Sequence, residues 1–219
     1  MKSNWELLQQ RSKYHFNNFL VDPKYDTVER IGHIQPFWND YIKTVIEQSK
    51  AVTWRTRGRL NDPLKRQDME YDQEDYDLEI QGYGKDFVVT NLNYDVPDIF
   101  LPLLQQFSLD KLMARIHVQM PGQVWNLHLD KLEKWMPQDP SVVVRYFIQL
   151  TDWQQGHFWN YGNYMYSGWK AGEITTFDWM NVPHSTANAG HSPRITLQLT
   201  GIYTDNTKKF LSTITKEKG

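Results

Sequence analysis

Two histidines, one aspartate and one arginine, in the order His128, Asp130, His184, Arg194, carry the most specific chemistry in this sequence. His128 and Asp130 stand two apart in "WNLHLDKL" (residues 125–132), which alternates like a β-strand, so both point to one face. A His-x-Asp pair alone is weak evidence. It gains weight from "NVPHSTANAGHSPRITLQLTG" (181–201), which supplies His184 after a turn proline and Arg194 at the opening of a strand. Two neutral imidazoles and one carboxylate form a 2-His-1-carboxylate set, which suits Fe(II) and leaves coordination positions open. The arginine's rigid fork of donors fits the far carboxylate of a dicarboxylic acid. His191 is the rival for third ligand. The ten-residue gap from His184 to Arg194 favours His184, because a gap of three would be cramped.

The elements that must position these residues are short strands separated by turn residues. "LMARIHVQM" (112–120) alternates, "PGQ" turns the chain, and 125–132 follows with Trp125, Leu127 and Leu129 on its apolar face. "SVVVRYFIQL" (141–150) is β-branched and aromatic, and 156–169 reads as a hairpin turning at Gly162 and Asn163. With 172–179 and 194–203 these make at least seven strands, a β-sandwich or barrel rather than alternating βαβ units. Several strands have a polar second face: Arg115, His117 and Gln119; Arg145 and Gln149 beside Phe147; Arg194, Thr196, Gln198 and Thr200. Such faces fit the lining of a small cavity that holds an anion and a metal. Structural roles are expected for His117 and His157. Trp159, Tyr161, Tyr164 and Tyr166 are expected to pack the sheet, with one or two lining the pocket mouth.

The N-terminal half reads differently. Residues 36–52 place Phe37, Tyr41, Val45 and Ile46 at helical spacing, and 95–107 form a second helical stretch broken by Pro102. Between them, 61–84 is polar and acidic, and its stretch 68–77 is expected to shape the substrate entrance. We expect one domain, with an N-terminal region over 1–110, a β core over 111–205 and a tail over 206–219.

Composition narrows the partners. The chain has 219 residues, 40% hydrophobic and 23% charged, with 9 Trp, 12 Tyr and 10 Phe, as expected for a β-rich globular protein. A net charge of −2 argues against a nucleic-acid or anionic-membrane partner, and 53–60 with its three arginines reads as a solvated segment. The absence of cysteine excludes disulfides, thiolate metal sites and Cys nucleophiles. No apolar leader or membrane span is visible, so a cytoplasmic location is expected.

"HLD", "RYFIQL", "GEITTFD" and "PHSTANAGHSPRITLQL" together resemble the Fe(II)/2-oxoglutarate-dependent dioxygenases, whose core is a double-stranded β-helix. The nearest look is to the aspartyl/asparaginyl β-hydroxylase-like branch, over residues 112–203. The resemblance implies a mainly β, jelly-roll core with N-terminal helices buttressing it. It implies Fe(II) held by His128, Asp130 and His184, with 2-oxoglutarate and dioxygen as co-substrates. Arg194 would bind the 2-oxoglutarate carboxylate remote from the metal, and Arg145 would help at its metal-proximal end. Phe147 stands where that branch often has a second histidine. The activity implied is hydroxylation of a C–H bond on a small-molecule or peptide substrate, coupled to decarboxylation of 2-oxoglutarate to succinate. A cupin-like metal-dependent isomerase or hydrolase would use the same ligands without needing Arg194. A non-catalytic β-sandwich binding module would leave the four residues a coincidence.

Overall fold

The computed structural model describes residues 28–48, 50–52, 91–94, 96–130, 132 and 135–214. In chain order, β1 (Glu29–His33) is followed by a 3-10 turn at Asn39–Tyr41 and α1 (Ile42–Gln48), then β2 (Lys50–Val52) and β3 (Asn91–Tyr94). Helix α2 (Leu101–Phe107) leads into β4 (Asp110–Gln119), β5 (Val124–His128), β6 (Val143–Gln149), β7 (His157–Tyr161) and β8 (Tyr164–Tyr166). The chain then forms β9 (Glu173–Thr176), β10 (His184–Asn188), β11 (Arg194–Ile202) and α3 (Asp205–Thr213).

These strands form two antiparallel sheets. The larger has the order β1-β9-β6-β11-β4-β3-β2 and the smaller β5-β10-β7-β8. From β4 to β11 the chain passes back and forth between them, with β4, β6, β9 and β11 in one and β5, β7, β8 and β10 in the other. This winding is a double-stranded β-helix, the expected fold.

At β6 and β11 the larger sheet is buried on both faces. On β11, Ile195, Leu197 and Leu199 join Ile116, Val118 and Ile148 of the neighbouring strands in one apolar cluster. Trp38, Val45, Phe100, Leu103 and Phe107 of the helical layer pack into the same cluster, which is why that layer is there. Trp38 is fully buried, and its Nε1 donates to the Leu150 carbonyl at 2.9 Å. The alternate residues of β11, from Arg194 to Thr200, are also buried but face the smaller sheet. There a second cluster of Phe147, Trp159, Tyr161, Tyr166, Trp169 and Phe177 joins the two sheets.

Several expectations need correction. Pro102 does not break the second helix. It sits in the first turn of α2, where a missing N–H leaves no hydrogen bond unmade. The expected 36–52 helix is shorter: the chain is helical only from Asn39 to Gln48, and Lys50–Val52 is a strand. Phe37 and Tyr41 are exposed while Trp38 and Val45 are buried, so the apolar face is rotated from the one expected. β10 was not among the expected strands. The predicted hairpin turn at Gly162 and Asn163 is found, with φ +56° at Gly162. Residues Asp205–Thr213, where the tail begins, form α3, capped by Thr204, whose hydroxyl accepts from Thr207 N at 3.1 Å. The basic 53–60 and acidic 61–84 segments lie outside the described residues. Among those described, no helix is long and apolar enough to cross a membrane.

Candidate metal centre

The site begins with a bulge. β10 pairs with β5 so that His184 opposes His128 and Thr186 opposes Trp125. Two steps on β10 therefore match three on β5, and the extra residue breaks the period of two. Trp125 and His128 consequently both line the cavity between the sheets, while Leu127 is turned out and 37% exposed. The simple alternation expected for 125–132, with Trp125, Leu127 and Leu129 on one face, does not hold. The ladder itself ends at His128, and Asp130 lies two residues beyond it.

His128, Asp130 and His184 come together nonetheless. All three are buried, and their candidate ligand atoms lie within 4.8 Å of one another. Asp130 Oδ1 is 3.8 Å from His128 Nε2 and Oδ2 is 3.8 Å from His184 Nε2, so one carboxylate spans both rings. The two imidazole centroids are 4.3 Å apart. Trp125 Nε1 donates to His128 Nε2 at 3.2 Å, which makes Nε2 the ring nitrogen that carries the lone pair. Two imidazole nitrogens and a carboxylate at this spacing fit a divalent transition metal. His191 is exposed on the loop that follows β10 and takes no part.

The larger sheet contributes the cations. Arg194, the first residue of β11, is 4% exposed. Its Nε donates to Gln119 Oε1 (3.0 Å) and its Nη1 to Thr196 Oγ1 (3.2 Å). Thr196 is held in turn by Gln149 Oε1 at 3.0 Å. The guanidinium lies 4.5 Å from the centre of the Trp159 ring, a cation–π contact. Burial pushes its pKa down to about 10, so it remains charged at neutral pH. Among the described residues no carboxylate pairs with Arg194, and its Nη2 makes no hydrogen bond. Arg145, on β6, is placed differently. Its Nη1 donates to Asp130 Oδ2 and its Nε to Thr200 Oγ1 at 3.1 Å.

The space among these groups is about 460 Å³, part of it open to solvent, walled by Trp125, Phe147 and Trp159. Phe147 packs edge-on against Trp159, with centroids 4.8 Å apart. Gln119, Thr186 and Trp159 hold the arginine end of the cavity; Gln119 was expected on a cavity-lining face and Trp159 among the aromatics at the pocket mouth, whereas Thr186 was not singled out. Gln119 had a visible signal, its place on the polar face of β4 beside His117. His117 lines the cavity and meets Gln198 Oε1 at 3.0 Å. His157 is structural, as expected. Its Nδ1 accepts from Gln154 N (3.3 Å) and its Nε2 bonds the Ser192 carbonyl (3.0 Å).

The loop that delivers Arg194 is fastened at its start. Asn188 Nδ2 donates to the carbonyls of Gln119 and Ser192, both at 2.8 Å, and its Oδ1 accepts from Gly190 N at 3.0 Å. Gly190 packs on Gly156 so closely that a Cβ on Gly156, itself at φ +96°, would lie 2.4 Å from the Gly190 nitrogen.

No family model and no curated protein matches the sequence. Solved structures resemble it in fold. A predicted oxalate decarboxylase from Thermotoga maritima is 12% identical, with 52% of this chain and 81% of that one covered and a TM-score of 0.34. An RmlC-like cupin from Shewanella frigidimarina is 12% identical over 43% of this chain and 69% of that one, with a TM-score of 0.30. The nickel complex of the non-heme monooxygenase ThoJ is 15% identical over 49% of this chain and 50% of that one, with a TM-score of 0.36.

Proposed function

We propose that this protein is a non-haem Fe(II)- and 2-oxoglutarate-dependent dioxygenase that hydroxylates a C–H bond of a small-molecule or peptide substrate. The observation that carries the reading is Arg194, a buried guanidinium without a carboxylate partner among the described residues, in the same cavity as the His128–Asp130–His184 cluster. Burying an unpaired charge is costly, and the Trp159 ring and two hydrogen bonds offset only part of it. A bound carboxylate would complete the compensation. The isomerase or hydrolase alternative gives this arginine no task.

His128, Asp130 and His184 would hold the metal, which would supply an electron source and open positions for co-substrate and dioxygen. The chain's own work is orientation and exclusion. Gln119 and Thr196 fix the plane of the Arg194 fork, Trp159 backs its face, and the fork receives the carboxylate remote from the metal. Trp125, Phe147 and Trp159 wall the reacting space with apolar surface and limit water there.

Conversion of 2-oxoglutarate to succinate, followed by NMR with Fe(II) present, tests the reading. Slow turnover in wild type that disappears in His128→Ala is the expected result. No succinate from fully metal-loaded protein, with or without a panel of candidate substrates, contradicts it.

A further inference from the structure

We propose that Arg145 is a positioning residue for the metal cluster, fixing the Asp130 carboxylate rather than contacting the co-substrate itself. This rests on the metal reading above. Asp130 lies past the end of the β5 ladder, outside the paired strand. Its carboxylate must nevertheless span two imidazoles at 3.8 Å each. Arg145 bonds that carboxylate directly. It is buried and rooted in β6, in the middle of the larger sheet, and its Nη1 bonds Oδ2 while Nε is anchored by Thr200 on the adjacent strand. Thr200 opposes Arg145 directly in the β6–β11 register, so the anchor is a cross-strand pair. One planar guanidinium thus ties a carboxylate beyond the smaller sheet to the larger one and sets the rotation of its two oxygens.

The division of labour between the two arginines follows. Arg194 meets Gln119 and Thr196 and leaves Nη2 for a ligand. Arg145 spends its Nε and one amino group inside the protein, on Thr200 and on a ligand of the metal. Partners that orient metal ligands typically affect metal affinity by 10–100-fold when removed.

The test uses Co(II) as the probe, titrated into apo-protein against a chromophoric chelator, with the Co(II) absorption spectrum recorded and circular dichroism checking the fold. Arg145→Ala is expected to weaken Co(II) binding about 10–100-fold and to change the spectrum, because the carboxylate sits differently. At saturating metal, the affinity for 2-oxoglutarate should change far less. Arg145→Lys keeps the charge but cannot reach both Asp130 and Thr200 in one plane, and should recover only part of the loss. Thr200→Val leaves both charges in place and removes the anchor, with a longer 3.4 Å bond from Gln198 Nε2, so it decides the matter if Arg145→Ala fails to fold. It should weaken Co(II) binding several-fold. Folded Arg145→Ala or Thr200→Val with unchanged Co(II) affinity overturns the proposal, as does an Arg145 variant that loses 2-oxoglutarate alone. Wild-type protein that binds no Co(II) instead overturns the metal reading itself.

Discussion

His128 and His184 are direct cross-strand partners, one ending β5 and the other beginning β10, with ring centroids 4.3 Å apart. Opposed residues on antiparallel strands have Cβ atoms about 5 Å apart, so the ladder itself sets the spacing of these two candidate metal ligands. The third candidate, Asp130, is not on the ladder, and Arg145 of the larger sheet reaches across to bond it.

Trp125 donates its indole N–H to the nitrogen of His128 that a metal would take. Binding a metal there breaks that hydrogen bond, whose net worth is about 0.5–1.5 kcal/mol. Trp125→Phe should therefore bind Co(II) or Fe(II) about 2–10-fold more tightly than wild type, as read by chelator competition. Weaker binding would mean that the indole supports the ligand rather than competing for it.

In the proposed function, Arg194 is held for a ligand at a cost to the fold. Replacing it with Met removes an unpaired buried cation while keeping most of the side-chain volume. In the absence of metal and co-substrate, Arg194→Met should melt higher than wild type by calorimetry, while 2-oxoglutarate no longer protects it. A lower melting temperature would show that the cation–π contact and two hydrogen bonds already compensate the charge.

Trp38 joins the helical layer to the larger sheet, fully buried and bonded to the Leu150 carbonyl. Trp38→Ala should cost about 3–5 kcal/mol of unfolding free energy, measured by denaturant titration. A loss below ~1 kcal/mol would mean that the helical layer does not stabilise the β core.

Burial lowers the pKa of His157 below its ordinary 6.5, with the Arg194 charge adding to the effect and the Ser192 hydrogen bond opposing it. The folded protein thus keeps His157 neutral where the unfolded chain takes up a proton. This contribution to stability is complete above pH 6.5 and declines as pH falls through that value toward the lower folded pKa. Denaturation between pH 7.5 and 5.5 should show a shallower loss in His157→Gln than in wild type. Equal slopes in the two proteins would contradict the assignment.

Much of this was legible in the residues. β6 and β11 are rich in β-branched and aromatic side chains, and the alternation of Arg194, Thr196, Gln198 and Thr200 with Ile195, Leu197 and Leu199 identified a strand with a polar and an apolar face. β10 was not legible because "HSTAN" has weak strand propensity of its own. It is a strand because β5 and β7 pair with it on both sides. The bulge in β5 depends on pairing with β10, so no reading of 125–132 alone could have placed Trp125 beside His128. Pro102 carries the same lesson, since a helix start and a helix break look alike until packing selects one. The Arg145–Asp130 bond joins a residue of the larger sheet to one just past the end of β5, and no local pattern records it.

In the proposed function, His128 and Arg194 serve one bound co-substrate from two sides of the cavity. The most direct test is an anaerobic titration of 2-oxoglutarate into Fe(II)-loaded protein, watching for the weak visible charge-transfer band of a chelated 2-oxo acid. The account predicts a saturable band in wild type and none in His128→Ala. In Arg194→Ala, loss of a buried charged partner worth at least ~2 kcal/mol should weaken binding about 30-fold or more. Stoichiometric Fe(II) binding with no band at any 2-oxoglutarate concentration would contradict the account and favour a metal-dependent isomerase or hydrolase.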